Sequence, residues 1–276
     1  MKKAILAIAI GALTIGANAG DWGKAPVYDK APIEECVDLG GNISAGYHTD
    51  YIYKGVRLGR DTVSTHVDYT FEGLALPVTL AVDYNNVING AVIGDETAVS
   101  LGAAIGTYGG FDLGLSYTQR FYAEANGSSS SGEIGLHASR DLGFATLVAN
   151  AYYNLNAPNS WNGIVGGAAA NNDNGSFYYD AGLEKSIALA GHNVVLAGGV
   201  AYSDNYWGGI ANTNHSSGWN HYYFRASLPI ELNCRTTLTP YVGYVGAPEG
   251  WIADGLGNAG AGSDIFHGGI SLNVSF

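Results

Sequence analysis

The sequence predicts an all-β chain, an antiparallel up-and-down transmembrane β-barrel of about 12 strands. Three observations predict it. Apolar and polar residues alternate with period two along almost the whole chain beyond residue 40, which is the pattern of a half-buried strand. The connections between these runs are short and long by turns, the habit of barrels with short periplasmic turns and longer outer loops. Charged residues make up only 13% of the chain while apolar ones make up 47%; an ordinary globular chain carries ~25% charge. An outside so poor in charge needs a solvent other than water, and lipid is the simplest.

The elements follow in order. Lys2 and Lys3 precede an apolar run, Ala4 to Ile15, and Ala17-Asn18-Ala19 supplies a small-x-small cleavage site. That run is too short for a spanning helix, which needs about 20 residues. Residues 1–19 are therefore predicted to be a signal peptide cut after Ala19, and the absence of Cys at the cut argues against a lipid anchor. Residues 20–40, with Pro26 and Pro32, read as a periplasmic lead-in, and 41–276 as the barrel. Loss of Lys2 and Lys3 moves the net charge from −12 to −14, leaving 10 basic against 24 acidic residues. Nucleic acid needs a basic face, so this balance excludes it and suits cations or divalent-bridged lipopolysaccharide.

In the first run, Ile43, Ala45, Tyr47, Tyr51 and Tyr53 alternate with Asn42, Ser44, His48, Asp50 and Lys54. The second sets Val63, Val67, Tyr69 and Phe71 against Ser64, His66, Asp68 and Thr70. The third sets Val78, Leu80, Val82 and Tyr84 against Thr79, Ala81, Asp83 and Asn85. Nine more runs lie near 96–106, 111–122, 133–140, 144–154, 177–187, 193–203, 220–230, 235–245 and 264–276. The short connections are Glu72–Leu76, Thr107–Gly110, Asp141–Gly143, Ala188–His192 and Glu231–Cys234. The long ones, rich in Gly, Ser, Asn and Trp, are Ala123–Gly132, Leu155–Ser176, Asp204–Trp219 and Gly246–Ser263. Gly55–Asp61, the first outer connection, is predicted to be a loop of modest length.

Charge gathers on one face of these strands: Asp50, Lys54, Asp68, Asp83, Glu96, Asp112, Arg120, Glu133, Asp180, Glu184 and Arg225. Five histidines share that face, His48, His66, His137, His221 and His267. In a lipid-embedded barrel this face lines the lumen, and all sixteen residues are predicted to be pore-lining. Aromatics collect where the strands meet the outer loops: Tyr51, Tyr53, Tyr84, Phe121, Tyr153, Phe177, Tyr179, Tyr202, Tyr222, Tyr244 and Phe266. That is the place of an interfacial girdle. Trp161, Trp207, Trp219 and Trp251 fall in or beside the last three outer loops. The last strand ends on Phe276, with Ile270, Leu272 and Val274 on the same face, which resembles the signal read by the outer-membrane assembly machinery. The two cysteines, Cys36 and Cys234, both fall at the periplasmic rim on this topology. A disulfide between lead-in and turn and a pair of unrelated thiols are both compatible with that placement.

The segment Ser44–Val56, SAGYHTDYIYKGV, resembles the opening S-x-Y-x-F-R-G-hydrophobic strand of the Gcw-type conserved hypothetical proteins, a family of uncharacterised bacterial outer-membrane barrels. Asp50-Tyr51 and Lys54-Gly55 occupy the places of that family's Asp-Tyr and Arg-Gly pairs. Lys54 replaces an arginine, losing the planar fork that grips a carboxylate with two hydrogen bonds. The resemblance implies a fold and no particular substrate.

Candidate chemistry is sparse. The chain holds no G-x-S-x-G elbow, Walker loop, CxxC or HExxH, so no catalytic residue, cofactor or metal is expected. His48/Asp50 and His66/Asp68 fall on adjacent staves, and a lumenal metal or proton site is the alternative to a hydrogen-bonding lumen filler. Eight lumenal acids against Lys54, Arg120 and Arg225 favour cations over anions. The expectation is a narrow, mildly cation-preferring outer-membrane pore for small hydrophilic solutes. Its partners are lipid, lipopolysaccharide and the assembly machinery. The alternatives are a non-conducting structural or adhesive barrel working through its outer loops, and a lipid-modifying enzyme.

Overall fold

The structure, a computed structural model, describes residues 39–90, 94–123, 130–156, 176–189, 191–206, 217–249, 251–255 and 264–276. Predicted features outside these residues are the signal peptide, the lead-in with Cys36, and Trp161 and Trp207. The strands are β1 (Gly41–Tyr53), β2 (Val56–Phe71), β3 (Val78–Asn89), β4 (Glu96–Tyr108), β5 (Phe111–Tyr122) and β6 (Ser130–Asp141). They continue with β7 (Thr146–Asn156), β8 (Ser176–Leu189), β9 (His192–Asp204), β10 (Ser217–Ser227), β11 (Ile230–Asn233), β12 (Thr236–Gly246) and β13 (Asp264–Ser275). A one-turn helix, α1 (Ile252–Gly255), precedes β13.

All the strand pairs are antiparallel, most of them between chain neighbours, and the sheet closes on itself through β1 and β13. β12 pairs with β10 and β11 in succession, so those two segments form one stave and the barrel has twelve staves. The break falls at Leu228-Pro229, opposite Thr239-Pro240. Pro229 has no N–H to give the ladder, and the Leu228 amide donates instead to the Pro240 carbonyl at 3.0 Å. β1 closes on β13 from Asn42 opposite Ser275 to His48 opposite Gly269. At the foot of this seam Gly41 and Phe276 exchange backbone hydrogen bonds of 3.0 and 2.9 Å. Closure satisfies the backbone groups that an open edge would leave bare in lipid.

The pleat sorts the side chains. In β4, Ser100 is 7% exposed and its neighbour Leu101 is 51% exposed. Val67, Leu80, Leu115, Leu136, Leu183 and Leu272 all face outward, while Thr118, Glu133, His137 and Asn150 are buried inside. An apolar outside around a polar inside inverts the soluble pattern, and only lipid makes it favourable. Among the described residues no helix is long and apolar enough to span a membrane.

The first connection differs from the prediction. Gly55–Asp61 is not a loop: Val56–Arg60 belong to β2, and the connection is the two-residue turn Lys54-Gly55. Both residues have positive φ, 47° and 84°, which makes a type I′ hairpin turn. The tip of this hairpin then leaves the wall. β1 pairs with β13 only as far as His48, and β2 pairs with β3 only from Arg60 downward. Where β1 departs, the Thr49 hydroxyl accepts the Gly268 N–H at 3.0 Å. Where β2 departs, Asp61 takes a φ of 50°, with its carboxylate accepting from Tyr47 at 2.5 Å and Asn89 at 2.7 Å. Leu58 is an extra residue in the β1–β2 ladder, a bulge that bends and twists its strand. A Cβ at Gly59 would collide with Val87, so glycine lets the bent strand cross β3. The tip therefore folds into the lumen, burying Ile52, Tyr53, Lys54, Val56 and Leu58.

Candidate functional site

The hairpin tip meets the far wall at one carboxylate. The Lys54 ammonium lies 2.6 Å from Glu133 of β6, which also accepts the Tyr206 hydroxyl at 2.6 Å. Tyr53 hydrogen-bonds the Tyr206 hydroxyl at 2.8 Å. The ammonium nitrogen also sits 3.6 Å from the ring centre of Tyr152, 4.4 Å from Tyr206 and 4.5 Å from Tyr178. Aromatic faces attract a desolvated cation by ~2 kcal/mol or more each. Arg120 lies 4.8 Å from the Tyr53 ring and within 3.7 and 3.8 Å of Glu96 and Glu133. Two cations and two carboxylates thus alternate across the outer half of the lumen, all of them buried.

The β10 side completes the clamp. Trp219 pairs with Tyr202 and His221 with Ala201, so Asn220 is a bulged residue, and the bulge turns both Asn220 and His221 inward. Asn220 is fully buried and donates to the Lys54 carbonyl at 2.8 Å. Gly55 packs on His221 so closely that a Cβ would enter the imidazole ring. Ile52 joins Val245 and Ile265 in a small apolar cluster.

Below the tip lies a cavity of about 370 Å³, reaching down the bore to Val148, Val195 and Ser227. Its charged lining is six carboxylates (Asp50, Asp83, Glu96, Glu133, Asp180 and Glu184) against Lys54, Arg120 and Arg225. His48, His66, His221 and His267 also line it. Asp68 and Asp112 face inward nearer the short-turn rim, and His137 faces inward but is buried under its neighbours Ser116, Asn150 and Tyr152; none of the three borders the cavity. Asp50 is paired with Arg57 of the same hairpin at 2.7 Å. His66 bridges Asp83 and Asp68 at 2.6 and 2.8 Å, and two acceptors on two ring nitrogens are satisfied by an imidazolium with both N–H groups in place. His48 bonds Ser64 at 2.7 Å and Tyr241 at 2.9 Å. Among the described residues no three His, Cys, Asp or Glu side chains converge as a metal-ligand group.

One hydrogen-bonded chain has a catalytic look. Ser116 lies 2.8 Å from His137 Nε2, and His137 Nδ1 lies 2.8 Å from the Asn150 side-chain oxygen, whose amide in turn donates to Asp180 at 2.8 Å. Asn150 Oδ1 only accepts, so Nδ1 holds the proton and Nε2 is left to accept from Ser116. The serine is 4% exposed and the histidine 2%, and neither borders the cavity.

Other predicted residues fall as follows. Tyr51 borders the cavity and Tyr53 is buried, so neither belongs to the outer girdle: the tip that carries them has left the wall. Tyr84, Phe121, Phe177, Tyr179, Tyr202 and Phe266 are exposed on the outer face. Trp219 is a strand residue of β10 rather than a loop residue, and is 53% exposed. Trp251 stacks on it at 6.0 Å and meets Tyr222 edge-on at 6.1 Å. Cys234 is disulfide-bonded. Sequence reasoning missed the lumenal tyrosines 152, 178, 206 and 223. The doublets Tyr152-Tyr153, Tyr178-Tyr179 and Tyr222-Tyr223 carried the signal, because adjacent residues of a strand face opposite sides.

No family model matches the chain, and no curated protein sequence is similar to it. Its structure is similar to that of an outer membrane channel from Pseudomonas putida F1, at 12% identity over 90% of this chain and all of that one, with a TM-score of 0.52. Weaker likenesses are to the KdgM porin (7% identity, 85% of this chain and 99% of that one, TM-score 0.48) and the NanC porin (12%, 86% and 98%, 0.48). At such identities a likeness speaks for the fold alone. With an apolar outside, a polar bore and twelve closed antiparallel staves, the chain has the fold of the outer-membrane β-barrels.

Proposed function

We propose that this barrel is a narrow, mildly cation-preferring channel for small hydrophilic solutes, with the inward β1–β2 hairpin as its constriction. The observation that carries the reading is the polar cavity under that hairpin, whose six carboxylates outnumber its three Lys and Arg side chains together with the His66 imidazolium. Water and small polar solutes are at home among such groups, and an acidic lining concentrates cations. The passage is expected in the outer membrane, after removal of residues 1–19 and insertion by the assembly machinery, with lipopolysaccharide around the outer rim. Membership of the Gcw-type family is part of the same reading and rests on Ser44–Val56. Single-channel recording of the refolded mature protein in a planar bilayer under a salt gradient tests it. Discrete steps with a cation-favouring reversal potential are expected, and a correctly folded but silent barrel refutes the channel.

Two observations favour other readings. The Lys54–Glu133 contact spans the lumen, and a permanently shut bore would leave a structural or adhesive barrel working through its outer loops. The Ser116–His137–Asn150 chain has the hydrogen-bond order of a hydrolase. It faces the lumen and not the lipid, so its serine is poorly placed to attack a membrane phospholipid.

A further inference from the structure

We infer that the Lys54 side chain occupies a binding site for an alkylammonium ligand, and that such a ligand releases the hairpin by taking its place. The inference rests on the channel reading and names the class of solute it would recognise. Four groups converge on the Lys54 nitrogen from outside the hairpin: Glu133 on β6, Tyr152 on β7, Tyr178 on β8 and Tyr206 beyond β9. All four are buried. Glu133, Tyr152 and Tyr178 belong to wall strands and would stay in place if the tip moved away, whereas Tyr206 lies just past β9 and also bonds Tyr53 of the tip. Together they offer one carboxylate for a charge-assisted hydrogen bond and three aromatic rings for a diffuse positive charge. That combination fits an ammonium head; aromatic cages are the usual receptors for alkylated ammonium groups. A lysine needed only as a tether would be served by the carboxylate alone.

The tip is also built to leave. It has no ladder partner on either side above His48 and Arg60. It is held instead by side-chain contacts, among them the Lys54 head, the Asn220 hydrogen bond to the Lys54 carbonyl, the Tyr53 hydroxyl and ring, Gly55 on His221, and the burial of Ile52, Val56 and Leu58. A free alkylammonium competes with a tethered one, whose effective concentration is on the order of millimolar or higher. Binding to the cage and exit of the hairpin are then one equilibrium, so the solute that fits the cage also opens its route.

The test uses the full mature protein in detergent micelles, n-propylammonium chloride as probe and titration calorimetry as readout. Lys54→Asn removes the ammonium and leaves Asn-Gly, the preferred pair for a type I′ turn; Lys54→Gly suits the same positive φ and serves if the first variant does not fold. Heat-modifiable migration on gels checks folding. The variant is expected to bind propylammonium at least ~10-fold more tightly than wild type, since the internal competitor is gone. Adding Glu133→Gln should abolish the gain, and 1-propanol should bind to neither protein. Equal affinity of variant and wild type, binding that survives Glu133→Gln, or equal binding of 1-propanol overturns the inference. Calorimetry needs no conduction, so the two readings fail separately. A barrel that binds but stays silent in bilayers loses the channel and keeps the cage; one that conducts without binding loses only the cage.

Discussion

At the residue scale, Glu133 matters most because it answers a buried ammonium. Two charges taken out of water stay favourable only while each has the other, and removing one partner costs ~3–5 kcal/mol. In Glu133→Gln the cheapest relief is for Lys54 to return to solvent with its hairpin. Trypsin added to the folded protein should then cut at Lys54, Arg57 or Arg60, which wild type protects. Lys54→Met in the Glu133→Gln background should restore most of the protection. Cleavage of wild type as fast as the variant would mean that the tip is not held by this pair. Gly55 is constrained twice, by its φ of 84° and by the His221 ring. Gly55→Val should therefore expose the same sites without touching any charge.

The hairpin is the element that sequence reading placed least well, for a physical reason. Alternation reports a wall with different media on its two sides. A strand inside the lumen has protein on both sides, so both parities turn apolar: Tyr51, Ile52 and Tyr53 run consecutively, and Val56 and Leu58 follow. Alternation resumes at Thr62-Val63-Ser64, where β2 has rejoined β3. Twelve staves were legible because lipid and lumen impose opposite preferences on adjacent residues over long stretches. The cage was not, since its parts come from four separate elements whose relative heights no local pattern encodes. Replacing Thr49–Asp61 by Asn-Gly would join His48 directly to Thr62, its ladder partner. The barrel should still form, because the β1–β13 and lower β2–β3 ladders are untouched, and its conductance should rise severalfold with weaker ion selection. Unchanged conductance in bilayers would show that the constriction lies elsewhere.

For the whole molecule, the governing fact is which solvent meets which face. Leu115, near the middle of β5 and 46% exposed, should face the bilayer centre. An arginine there should destabilise the barrel by ~2–4 kcal/mol in lipid vesicles, and one at Phe144, in the turn after β6, by ~0–1 kcal/mol. Guanidinium unfolding of the two variants measures the difference; equal costs would deny a membrane midplane at Leu115. The seam carries a consequence about time. Its two edges are the first and last described strands, joined from Asn42–Ser275 to His48–Gly269, so the contacts that shut the cylinder are the most distant along the chain. Contacts of that kind form slowly, and here they cannot begin until the final strand has been delivered. Until then the edges of β1 and β13 lack their partners while the apolar band is already in place, and an unpaired apolar edge is open to aggregation.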